Sequence, residues 1–109
     1  MRPLSDRPRV VQRIGVVPGV WLVGSGAAYA LGVDVPPKDW DFLVDPEAHC
    51  GVLTHLRGAT FAVNSCGGMK ATAPDGTVVD VWISSLAHFI THGTGNVAVN
   101  LLHNRVVRW

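Results

Sequence analysis

The stretch Val20–Val44, VWLVGSGAAYALGVDVPPKDWDFLV, constrains this chain more than any other. Its continuous apolar start reads as a buried strand over 19–24. Gly24-Ser25-Gly26 then opens a short Ala-rich helix, and DWDFLV reads as a second strand. Strand side chains alternate, so Asp39 and Asp41 share one face while Trp40, Phe42 and Val44 take the other. Two carboxylates side by side repel each other and have no packing use; a divalent cation between them accounts for both. The exposed N–H groups and dipole of a helix start form an anion seat, here at Gly24, Ser25 and Gly26. An anion seat one helix away from a metal-binding acid pair suggests chemistry on a nucleoside triphosphate.

A chain of 109 residues holds one modest core. With 48% hydrophobic and 16% charged residues it is globular rather than disordered. A formal charge of +1 gives no global attraction to nucleic acid. The charge is uneven, however: Arg2, Arg7, Arg9 and Arg13 cluster at the start, and five of the eight acids lie between Asp34 and Glu47. An acidic pocket of that kind attracts cations before phosphates. Cys50 and Cys66 are too few for a disulfide framework and suit a reducing compartment. No apolar run reaches the ~20 residues of a membrane span and the start lacks a signal-peptide core, so a cytoplasmic protein is expected. Residues 1–18 read as a loose N-terminal arm with a short lead-in, and 19–109 as the core domain.

Along the chain, Val10 to Val17 is a short apolar segment, strand or helix, ended by Pro18-Gly19. The helix from Ser25 stops at Gly32, and Pro36-Pro37 keeps the following loop extended. After the acidic strand, Asp45-Pro46-Glu47 supplies a cap, a first-turn proline and an acid, which predicts a helix to about Arg57. Thr60–Ser65 and Met69–Ala73 read as strands around Gly67-Gly68. Asp75-Gly76 is a two-residue hairpin signal leading into Thr77–Ile83. Ser84–His92 reads as a helix, and Val97–Leu102 and Arg105–Trp109 as strands. The order β-α-β-α-β-β-β-α-β predicts an α/β (α+β) fold, a mixed sheet with helices packed on it.

Asp80 lies mid-strand between Val79 and Val81, where an unpaired buried carboxylate costs several kcal/mol. A cation shared with Asp39 and Asp41 would satisfy it. So would Lys70 across the hairpin, which falls opposite roughly Asp80 or Val81.

The same residues carry a family resemblance. Hydrophobic-Gly-Ser followed by Asp-hydrophobic-Asp-hydrophobic resembles the signature of the polymerase-beta-like nucleotidyltransferases. LVGSGAAYALGVDVPPKDWDFLV is most similar to the head domain of CCA-adding tRNA nucleotidyltransferases and bacterial poly(A) polymerases, here in a minimal single-domain form. GGMKATAPDGTVVDVW is similar to the stretch that supplies the third acid in small members. The resemblance, spanning Trp21 to about Ser84, implies transfer of an NMP, AMP first, from an NTP to a hydroxyl with release of pyrophosphate. It implies Mg²⁺ or Mn²⁺ held by Asp39, Asp41 and Asp80. Asp39 and Asp41 would bridge two ions, and Asp80 would bind the one facing the acceptor and take its proton. Gly24, Ser25 and Gly26 would hold phosphates, with Lys38 and Lys70 as further phosphate contacts. The acceptor stays open between an RNA 3′ end, a protein hydroxyl and a small molecule, with a protein partner expected to supply missing acceptor-binding elements.

A rival reading makes the chain a degenerate nucleotidyltransferase domain kept for nucleotide binding or protein interaction. A third, a nucleic-acid binder using the basic arm, lacks a basic stripe on the remaining surface. The five histidines and two cysteines have no structural-zinc spacing. Trp40 reads as core, whereas Trp82 shares the face of Asp80 and could stack on a base.

Overall fold

The structure, a computed structural model, describes residues 2–64, 68–83 and 106–109. The helix expected over Ser84–His92 and the strand expected over Val97–Leu102 lie outside the described residues.

Helix α1 spans Arg9–Gly15, which settles the ambiguous Val10–Val17 segment as helical. Its Val11 and Ile14, three apart on one face, are fully buried. Strand β1 is Val20–Val23, helix α2 is Gly24–Ala30 and strand β2 is Asp39–Val44. A 3₁₀ turn over Pro46–Ala48 leads into helix α3, His49–Thr54, which ends a turn earlier than the Asp45-Pro46 start predicts. Asp45 makes no side-chain cap there. Strands β3 (Thr60–Val63), β4 (Met69–Thr72), β5 (Val78–Ile83) and β6 (Val106–Val107) complete the described elements.

Six strands form one mixed sheet in the order β3-β4-β5-β2-β1-β6. The β2–β5 pair is parallel and the other neighbours are antiparallel. Alternation then sorts the side chains. Leu22, Trp40, Phe42, Val44, Ala71, Val79 and Val81 meet α1, α2 and α3 in the main hydrophobic cluster. Burying a side chain of this size contributes about 1.5–3 kcal/mol each. The other face carries the acids and a small patch in which Trp21 and Trp82 pack on Val23 and Leu43. The architecture of the described residues is therefore a two-layer α+β domain with their helices on one face.

Two expectations need correction. Residues 2–8 are docked rather than loose: the Arg2 amide donates to the Ala30 carbonyl, and its Nε donates to the Tyr29 carbonyl at 2.8 Å. These bonds satisfy the Ala30 carbonyl and give a second donor to the Tyr29 carbonyl, which also accepts the Gly32 amide at the end of α2. Arg2 also pairs with Asp34, and Arg7 is buried with its guanidinium stacked over Trp109. The hairpin loop has three residues, not two. The Ala73 amide donates to Thr77, the Gly76 amide donates to Ala73, and Gly76 takes φ +90°. A type I turn closed by a left-handed glycine produces that pattern.

Candidate active site

The acids come together through strand register. Asp41 on β2 stands opposite Asp80 on the parallel β5, and Lys70 on β4 stands opposite Asp80 from the other side. Asp39 is two residues before Asp41 on the same face. Asp80 points away from Val79 and Val81, which belong to the main core, yet is only 5% exposed. Structure thus gathers Asp39, Asp41 and Asp80 on one face of adjacent strands.

Their electrostatics follow from that crowding. Burial above all, then the Asp80 charge, a hydrogen bond shared with Asp80 and the Asp39 charge, push the Asp41 carboxyl up to about 7. Lys70 acts against this rise. Asp80 is also raised, first by burial, with the Asn64 hydrogen bond and Lys70 opposing. Two facing carboxylates cannot hydrogen-bond unless a proton lies between them, so the crowding favours a protonated Asp41. A divalent cation could take the place of such a proton, and an all-oxygen donor set of this kind suits Mg²⁺ or Mn²⁺. The donor chemistry fits such an ion.

The arrangement is not a finished cage. Among the described residues, no three His, Cys, Asp or Glu side chains stand in ready coordination geometry. One of the three acids is already engaged: Lys70 Nζ bonds Asp39 Oδ2 at 3.2 Å. The lysine expected opposite Asp80 does stand there in register, but its ion pair is with Asp39 instead.

Gly24 lies against the acids. It has φ +64°, and a Cβ there would sit 2.8 Å from Asp41 Oδ2. Ser25 is exposed in the first turn of α2. Ser25 lines a cleft of about 440 Å³ together with Ala28 on α2, Val33, Val35, Pro36, Pro37 and Lys38 on the loop, and Asp39 and Asp41. That volume falls within the range of small-molecule sites. Gly26 is placed differently: it is buried, and a Cβ would meet Trp40 at 3.0 Å and Leu22 at 3.1 Å. Its position serves close packing of α2 on the sheet, away from the cleft. Trp82 packs in the Val23–Leu43 patch.

The overall topology matches solved structures. The chain aligns with a CCA-adding enzyme solved with CTP at TM-score 0.51 and 14% identity, over 84% of this chain and 25% of that one. The fold is similar to the aligned part of that enzyme. A Thermotoga maritima CCA-adding enzyme complexed with tRNA aligns at TM-score 0.47 and 14% identity, over 73% of this chain and 23% of that one. The chain therefore spans about a quarter of each of these structures. No family model matches the sequence, and no curated protein matches it.

One residue escapes the sequence reading. Asn64 donates through Nδ2 to Asp80 Oδ1 at 3.3 Å, while its Oδ1 accepts the Gly68 amide at 2.7 Å. Asn64 thus ties the Gly68 backbone to the third acid. Its place just before a Gly-Gly bend is the available signal, since Asn side chains bond nearby turn backbone. The apolar loop wall of Val33, Val35, Pro36 and Pro37 also escapes it, with the extended Pro-Pro stretch as its only hint.

Proposed function

We propose that the protein is a metal-dependent nucleotidyltransferase that moves an NMP, AMP being the first to test, from an NTP to a hydroxyl. The acceptor oxygen forms a bond to the α-phosphorus, the bond from that phosphorus to the bridging oxygen breaks, and pyrophosphate leaves. The carrying observation is the Asp41–Asp80 register with Asp39 on the same face, beside Gly24 and the cleft. Asp39, Asp41 and Asp80 would hold Mg²⁺ or Mn²⁺, which supplies charge neutralisation at the phosphates and a lowered hydroxyl pKa. Asp80 is the carboxylate we assign to accept the acceptor proton, with Asn64 orienting it. Ser25 borders the space given to the phosphates, with Gly24 beside Asp41, and the loop 33–38 borders the space given to the nucleoside. The CTP carried by the aligned CCA-adding enzyme supports a nucleotide ligand. RNA, a protein hydroxyl or a small molecule would be the acceptor, with a protein partner completing its site.

A second reading, a catalytically degenerate nucleotide-binding or interaction module, is favoured by the Lys70–Asp39 ion pair, which engages an assigned ligand. Incubation with each α-labelled NTP, Mg²⁺ or Mn²⁺ and cell lysate separates the two. Label transfer that an Asp39→Asn/Asp41→Asn variant loses supports the enzyme. Nucleotide binding without transfer to any component supports the module.

A further inference from the structure

The acidic face carries a cation of its own. Lys70 stands directly opposite Asp80 in register, yet its Nζ reaches diagonally to Asp39 Oδ2 at 3.2 Å. The two side chains are 40% and 37% exposed, so the pair is open to solvent and exchangeable. A lysine ends in a compact charge on a flexible four-carbon stem and can leave one carboxylate without moving its strand. The Asp39 oxygen cannot be neutralised by the ammonium and coordinated by a divalent ion beside it without strong repulsion between the two cations.

Resting on the metal-binding role assigned above, we propose that Lys70 is a tethered surrogate for the divalent cation: it neutralises Asp39 in the metal-free pocket and must release it on loading. Lys70 thereby sets the metal affinity of the site. Once released, the ammonium stays on the acidic face, available to an anionic group of the incoming ligand.

Mn²⁺ titration of the full chain, followed by the electron paramagnetic resonance signal of free Mn²⁺, tests this without any turnover. Lys70→Gln is expected to bind Mn²⁺ about 3- to 10-fold more tightly than the wild type, the range open to removal of a nearby partly screened charge. Lys70→Arg, which keeps the charge, should stay within about twofold of the wild type on the same ground, and Asp41→Asn should lose binding. A wild type that binds no Mn²⁺ beside a Lys70→Gln variant that does also supports the proposal. Unchanged or weaker binding by Lys70→Gln, with Asp41→Asn still silent, overturns the role of Lys70 alone. Equal binding by wild type, Lys70→Gln and Asp41→Asn overturns the metal assignment with it. Should Lys70→Gln fail to fold by circular dichroism, the ¹⁵Nζ resonance of Lys70 in the wild type gives a second readout. Added Mg²⁺ should shift that resonance, and no shift at saturation counts against release.

Discussion

Gly24 answers two demands that no other residue meets together. Its backbone is left-handed, and its missing side chain leaves the space that Asp41 Oδ2 occupies. Gly24→Ala should therefore cost about 1–3 kcal/mol in urea denaturation, through backbone strain and a displaced carboxylate. Asp41 itself predicts a pH dependence. Its folded carboxyl lies at about 7, above the ordinary 3.8, so the metal-free native state holds a proton that the unfolded chain gives up. Stability from this group is greatest below about pH 4, falls as pH rises towards about 7 and is flat beyond, a loss on the order of a few kcal/mol. Asp80, raised in the same direction, adds to the fall, while Asp39 and Lys70 face the same group with opposite effects. Urea midpoints at pH 5 and pH 8 should show Asp41→Asn more stable than the wild type at pH 8 and less dependent on pH. Mg²⁺ should reduce the fall in the wild type and leave the variant unmoved. The three acids were legible in the sequence because strand parity and an apolar setting make a carboxylate conspicuous. Asn64 was not, since its bond to Asp80 spans sixteen residues.

At the scale of elements, the site is a product of pairing. The parallel β2–β5 register sets Asp80 beside Asp41, and a shift by one residue would turn Asp80 into the core. Helix α2 holds β1 and β2 in position through Gly26, pressed against Trp40 and Leu22. Gly26→Val should overpack this contact and lower stability by about 1–3 kcal/mol, measured by thermal unfolding. β2 was legible to the residue because Asp39 to Phe42 alternate polar and apolar and Leu43 and Val44 extend the apolar run. The hairpin was misjudged by one residue because Asp75-Gly76 fits both a two-residue turn and the end of a three-residue loop. Asp75 Oδ1 accepts the Thr77 amide at 2.9 Å and helps stabilise the latter. For α3, local start signals favoured a longer helix, but the chain bends at Gly58, φ +78°, after placing Leu56 in the core.

Across the whole molecule, the N-terminal segment belongs to the same body as the site. Arg2 crosses to the end of α2 and the loop that walls the cleft, and Arg7 stacks on Trp109. A composition of prolines and arginines suggests a free arm only while these distant partners are unseen. Removing residues 1–8 should lower the unfolding free energy by about 1–3 kcal/mol, checked by urea titration. The helix-covered face holds the main core and the opposite face carries the three acids, so the proposed chemistry stands or falls on what the acids hold. The most direct measurement is an anomalous difference map from crystals grown with Mn²⁺ and a non-hydrolysable NTP. We expect a peak bounded by Asp39, Asp41 and Asp80, with the triphosphate beside Gly24 and Ser25. Well-ordered acids with no peak between them at saturating Mn²⁺, or a peak elsewhere on the molecule, would contradict the account.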